Sequence, residues 1–103
     1  MAASGFVAVL VIDLHFPDAE SLKSKRKDLA SVKAQLHTRL GAAVSEIDHQ
    51  DTWQRATLAA ALTSGSLAVL TAHADKIERW LSSRFPDGVN VQRILTSIED
   101  LEG

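Results

Sequence analysis

The segment Asp48-His49-Gln50-Asp51-Thr52-Trp53-Gln54-Arg55 gathers two acids, a histidine, a tryptophan and an arginine into eight residues of an otherwise alanine- and leucine-rich chain. These residue types can serve acid–base chemistry, metal ligation or partner recognition. A histidine oriented by a neighbouring carboxylate, Asp51 or Asp48 beside His49, can act as a general base, with Lys25 or Arg55 stabilising an anion. His15 and His49 with Asp48 or Asp51 offer the nitrogen and oxygen donors that suit zinc, manganese or iron. In the third chemistry, Lys23, Lys25, Arg26, Lys27 and Lys33 contact phosphates while the ring of Trp53 or the guanidinium plane of Arg55 stacks a base.

Spacing weighs against the first two. No H-x-x-x-H or H-E-x-x-H pattern occurs, and adjacent Asp48 and His49 would face opposite ways on a strand. There is no nucleophile elbow, glycine-rich phosphate loop or cofactor motif, and all five glycines stand alone. The chain has no cysteine, which excludes disulfides, thiolate catalysis and sulfur-ligated metals. The expectation is a binding protein with no catalytic residue, no metal and no cofactor. The alternative is a small enzyme or small-ligand binder using His49, Asp51 and Lys25.

Bulk composition sets the frame for these residues. A chain of 103 residues forms a single domain, residues 1–103, and a domain of this size buries roughly 60–70% of its unfolded surface. Hydrophobic residues at 46% and charged residues at 23% are ordinary globular values. A net charge of −2 supplies no global basic field, so no DNA specificity is expected and any nucleic-acid contact must use a local patch. Phe6 to Ile12 is apolar, but it has no basic residue before it, ends at Asp13 and is too short to span a bilayer. It reads as a strand, and the chain as a cytoplasmic protein with no membrane contact.

The elements follow from hydrophobic periodicity. Phe6–Leu14 is apolar on both faces, as a central strand is, and Pro17 lies in the break after it. A helix follows over about Ser21–Leu40, with Asp18 or Ser21 as N-cap and Gly41 ending it. Its Leu22, Leu29, Val32, Leu36 and Leu40 share one face. Ala42–Asp48 is a half-polar strand, and Arg55–Thr63 alternates Leu58, Ala60 and Leu62 against Thr57, Ala59 and Thr63 as another. A second helix spans about Ser66–Arg84, with Trp80 at the margin of its apolar face. Pro86-Asp87-Gly88 is a turn signal. Val89–Ile98 is a last strand, and the acidic tail is expected to fray.

The order β-α-β-β-α-β predicts a ferredoxin-like α+β two-layer sandwich: an antiparallel four-stranded sheet, first and third strands central, both helices on one face. That topology brings together the end of the first strand (Asp13, His15), the start of the first helix (Ser21, Lys23, Lys25, Arg26) and the turn from Asp48 to Arg55, including His49, Gln50, Asp51 and Trp53. Lys25 lies inside the apolar arc of its helix and is expected to reach Asp13, Asp48 or Asp51. On the uncovered face, either Phe6, Ala8, Leu10 and Ile12 or Val7, Val9 and Val11 are left open. An apolar patch of that size predicts a symmetric homodimer through the open sheet face.

Two stretches, "VAVLVIDLHFPDAESLKSKR" and "VSEIDHQDTWQRATLAAALTS", resemble the YlxP-like proteins of bacteria, a family of unknown function. The resemblance covers nearly the whole chain and implies the same ferredoxin-like fold. Members are often encoded beside transcription and translation factors, including a ribosome-binding factor, which implies a role near RNA or the ribosome. Its motif positions here are Ser21, Leu22, Lys23, Lys25 and Arg26, then Asp48 to Asp51, Trp53, Gln54 and Arg55. The resulting expectation is an RNA- or ribosome-associated accessory protein that binds through Lys23, Lys25, Arg26, Trp53 and Arg55. Asp13, His15, Ser21, Asp48, His49, Gln50 and Asp51 are expected to shape that surface.

Overall fold

The computed structural model describes residues 4–86 and 88–103. In chain order the elements are β1 (Phe6–His15), α1 (Leu22–Thr38), β2 (Ala43–Asp48), β3 (Arg55–Ser64), α2 (Leu67–Arg84), β4 (Val89–Ser97) and α3 (Ile98–Glu102). The strands form one antiparallel sheet in the order β2-β3-β1-β4. This is the expected ferredoxin-like α+β arrangement, with the two most apolar strands in the middle.

Strand register decides which residues meet. Leu10 pairs with Ala60, Ile12 with Leu58 and Leu14 with Ala56, while Val9 pairs with Ala61, Val11 with Ala59 and Asp13 with Thr57. Because side chains alternate across a strand, the first set belongs to one face and the second to the other. Ala8, Leu10, Ile12 and Leu14 are wholly buried and share one core with Leu29, Val32 and Leu36 of α1 and Leu70, Ala74, Ile77 and Leu81 of α2. Burying each of the larger side chains contributes about 1.5–3 kcal/mol. Both long helices therefore cover a single face, and Val7, Val9 and Val11 are the residues of β1 on the open one.

Ser21, not Asp18, caps α1: its Oγ accepts the Ser24 amide at 3.1 Å. Ser66 caps α2 in the same way through the Val69 amide, at 3.3 Å. After α1, Gly41 adopts φ 67°, a left-handed conformation that glycine takes without steric cost. Two histidines bond the carbonyls of this chain reversal, His37 through Nδ1 to Ala42 at 3.1 Å and His73 of α2 through Nε2 to Leu40. Trp80 is partly buried against the core, as its position at the margin of the apolar face predicts.

Two expectations at the C-terminal end need correction or qualification. β4 ends at Ser97, one residue early, because Ser97 caps a short helix by accepting the Asp100 amide at 3.0 Å. The acidic tail is therefore helical over Ile98–Glu102 instead of frayed, with Glu99 and Asp100 at the positive end of the helix dipole. The turn before β4 is closed by the Gly88 amide donating to the Phe85 carbonyl at 3.3 Å; Asp87 lies outside the described residues. At Gly88 a Cβ would lie 2.8 Å from the Cβ of His15, so close approach of β1 to the start of β4 requires glycine.

Candidate functional site

Three segments do converge at one end of the sheet. The Phe16 amide donates to the Gln54 carbonyl at 2.8 Å, and the Gln54 side chain donates to the Pro17 carbonyl at 3.2 Å. These bonds fasten the β2–β3 turn to the loop between β1 and α1. Lys25 adds a third tie from the first turns of α1. The residues expected there are nevertheless divided between the two faces of the sheet.

On the helix face, Lys25 is fully buried. Its ammonium donates to the His49 carbonyl at 2.6 Å and lies 3.6 Å from the Glu46 carboxylate. The expected partners, Asp13, Asp48 and Asp51, are thus replaced by Glu46, which pairs with Leu58 on β3 and so faces the helices. A buried ammonium needs a charge partner and hydrogen-bond acceptors, and the turn supplies both. Burial also removes Lys25 from the expected RNA-contacting set, because no external phosphate can reach it.

On the open face, Thr57 Oγ1 donates to Asp13 Oδ1 at 2.7 Å, and His49 Nδ1 lies 2.8 Å from the same hydroxyl. Arg55 Nη2 stands 3.7 Å from Asp13 Oδ1. Asp48 accepts the His49 amide at 2.7 Å, and its other oxygen is 3.9 Å from His49 Nδ1. A bulge makes this possible. Glu46 pairs with Leu58 but Asp48 pairs with Thr57, so the ladder shifts at Ile47 and Asp48 crosses to the open face. His49 itself adopts φ 62°, a left-handed backbone that costs a non-glycine residue about 1–2 kcal/mol. That conformation turns its carbonyl toward Lys25 and its ring toward Thr57. Residue types alone did not single out Thr57; its place opposite Asp13 in the register is what assigns it.

The remaining expected residues differ in their surroundings. His15 is exposed at the end of β1, and its amide donates to the Gly88 carbonyl at 2.8 Å. Gln50 and Asp51 are exposed in the turn, and Trp53 is 52% exposed. Lys23, Arg26 and Lys27 are exposed on α1, and among the described residues none of them lies within 4 Å of a carboxylate oxygen. With Lys33 these cations occupy an arc of about 120° on α1, taking 100° per residue. A groove of about 210 Å³ runs beside it, lined by Arg26, Leu29, Ala30, Lys33 and Glu46.

Two features escaped the sequence reading. A cleft of about 290 Å³ opens between the β1–α1 loop and the α2–β4 turn, lined in part by His15, Phe16, Asp18, Arg84 and Phe85. Phe16 and Phe85 meet edge to face with centroids 5.5 Å apart, and the Arg84 guanidinium stands 5.1 Å over the Phe85 ring. The sequence did carry a sign of this pairing, since Phe-Pro-Asp occurs at residues 16–18 and again at 85–87. At the other sheet edge Arg93 bonds Asp75 at 2.9 Å and also Glu78, and these bonds raise its pKa, Asp75 most. Among the described residues no three histidine, aspartate or glutamate side chains gather as a metal set requires. Nor is any helix among them long and apolar enough to cross a membrane.

The family described as "Protein of unknown function (DUF503)" matches residues 7–99. The chain is also 32% identical over 82 residues to "Uncharacterized protein YlxP" of Bacillus subtilis (strain 168), a match covering 80% of this chain and 85% of that protein. The fold is similar to that of "De novo designed protein Foldit4", with a TM-score of 0.57, 10% identity, and coverage of 89% of this chain and 96% of that one. The last likeness concerns the fold alone. The chain belongs to the DUF503, YlxP-like family, whose function is not known.

Proposed function

We propose that this protein is a non-catalytic, RNA-binding accessory protein, with ribosomal RNA as the first partner to test, and that it acts as a homodimer. The observation that carries the RNA reading is the unpaired basic face of α1. Helix α1 (Leu22–Thr38) has five basic residues, Lys23, Lys25, Arg26, Lys27 and Lys33, against one acid, Asp28. Removing buried Lys25, which is matched by Glu46, leaves four cations on a chain whose net charge is −2. Unpaired cations concentrated on one helix suit contacts to phosphate oxygens. Trp53, exposed in the turn fastened to the start of α1, adds a surface on which a base can stack.

The test is co-sedimentation with ribosomes from the host lysate at low and high salt, for the unsubstituted protein and a Lys23→Ala/Arg26→Ala/Arg55→Ala variant. Salt-sensitive association that the variant loses is the expected result. For a purified single-stranded RNA, loss of three phosphate contacts should flatten the slope of log affinity against log salt by about 2. Unchanged association of the variant would overturn this surface, and absence of association at both salts would overturn the ribosome as partner.

Dimerisation is supported by the open face. Val7, Val9, Val11, Ala59 and Ala61 are only half-buried there, and Ile94 is 48% exposed. Charged residues of β1 and β3 on this face, Asp13 and Arg55, sit at one end of the ladder. The uncharged remainder can meet a copy of itself about a two-fold axis without like-charge contact. Strands of ten, six, ten and nine residues at about 3.3 Å per residue and about 4.8 Å spacing give roughly 550 Å² per partner, about 1,100 Å² in all, just above the roughly 1,000 Å² a specific interface needs. A Val9→Glu variant should run as a monomer in analytical ultracentrifugation while keeping its helical circular dichroism. A monomeric unsubstituted protein at micromolar concentration would end this part of the proposal.

A further inference from the structure

Proton accounting singles out one atom of the open-face cluster. Thr57 has one hydroxyl proton, and at 2.7 Å it goes to Asp13 Oδ1. Thr57 Oγ1 can therefore only accept at its 2.8 Å contact with His49, so His49 Nδ1 carries a proton. In the neutral ring this leaves Nε2 with a bare lone pair. Among the described residues no buried side-chain nitrogen or oxygen lacks a partner. Nε2 has no partner in the cluster and therefore faces solvent. The ring is fixed by Thr57, and the strained φ 62° backbone is held by Asp48 on its amide and by buried Lys25 on its carbonyl. A strained, doubly clamped side chain presenting a single acceptor is prearranged for a ligand.

The charges around it limit what that ligand is. Asp48 lies 3.9 Å from Nδ1, and Asp13 is joined to the same nitrogen through Thr57, so the ring sits in a negative local field that disfavours a phosphate oxygen at the neighbouring Nε2. A neutral hydroxyl donor suits the site. Arg55 is exposed, with Nη2 3.7 Å from Asp13 and five N–H donors in all, and Trp53 is exposed in the adjoining turn. Residues 49–55 thus carry group types that suit a sugar hydroxyl, a phosphate and a base. We infer that His49 Nε2 accepts the hydrogen bond of a ribose 2′-hydroxyl, so that the hairpin distinguishes RNA from DNA. The inference rests on the RNA reading above.

The experiment compares binding of one single-stranded sequence as RNA, as 2′-O-methyl RNA and as DNA, by fluorescence anisotropy at fixed salt. The unsubstituted protein should prefer RNA over both others by about five- to tenfold, the worth of one well-placed hydrogen bond. His49→Asn, which tolerates the left-handed backbone but lacks the imidazole, should reduce that ratio toward one, and Thr57→Val should reduce it in part. Binding without discrimination by the unsubstituted protein would overturn the inference and leave the RNA reading standing. An RNA preference undiminished in His49→Asn would also overturn it. If none of the three oligonucleotides binds, the RNA reading itself falls and takes this inference with it. The oligonucleotide comparison on the unsubstituted protein needs no variant to fold.

Discussion

The two faces of the sheet solve the problem of placing a charge in opposite ways. On the helix face Lys25 is sealed inside the core, held by the Glu46 carboxylate and the His49 carbonyl. On the open face, one peptide away, Asp13 and His49 are joined through the Thr57 hydroxyl in an arrangement that still reaches solvent. The first is a clamp. The second leaves an atom free. Only the second has an atom able to meet a partner, although both drew on the same two motifs of the sequence.

The difference predicts unequal costs when each side is broken. Removing Lys25 as Lys25→Ala leaves half-buried Glu46 and the His49 carbonyl without their cation and opens a cavity in the core, and should destabilise the protein by about 3–5 kcal/mol in urea unfolding. Replacing the pair together as Lys25→Met/Glu46→Leu should recover most of that, leaving about 1–3 kcal/mol for the unpaired carbonyl. A double variant as unstable as Lys25→Ala would show that the carbonyl contact, not the charge pair, holds the turn. On the open face Thr57→Val keeps shape and loses one hydroxyl, and a smaller loss of about 1–2 kcal/mol is expected because Asp13 and His49 can turn to water.

The smallest effect should come from Arg93. Like Lys25 it points to the helix face, as its pairing with Leu10 requires, but it lies at the edge strand β4 and bonds Asp75 and Glu78 in contact with solvent. Arg93→Ala should cost at most about 1 kcal/mol, and less at high salt. The folded-state pKa of this guanidinium is raised, by Asp75 first. Its contribution is therefore fully present below the unfolded pKa and lost only in strongly alkaline solution, so the Arg93 guanidinium itself should add no pH dependence to stability between pH 6 and pH 9. A Thr57→Val variant less stable than Lys25→Ala would invert the comparison between the faces.

Much of this was legible before any coordinates. The double-sided apolar run of β1, the leucine stripe of α1 and the turn residues between elements led to the topology, and the topology led to the meeting of Asp13, α1 and the "DHQDTWQR" turn. Lys25 was recognisable as a cation in an apolar arc needing a partner. Its partner was not, because Glu46 looks like an ordinary exposed residue of a half-polar strand until the register with Leu58 is known. Thr57 was passed over for a similar reason: a threonine in a strand carries no sign of what lies opposite.

Sequence alone therefore determined the order of the four strands and two long helices, the core stripes and the family, because those depend on local periodicity and on motifs read along the chain. The division of the polar cluster between two faces was decided only in three dimensions. Simple alternation would place Asp48 beside Glu46 on the helix face. The bulge at Ile47 and the left-handed turn at His49 send Asp48 and the imidazole to the other side. One extra residue in an edge strand reverses the direction of every side chain after it, and no pattern of residue types records where that residue is inserted.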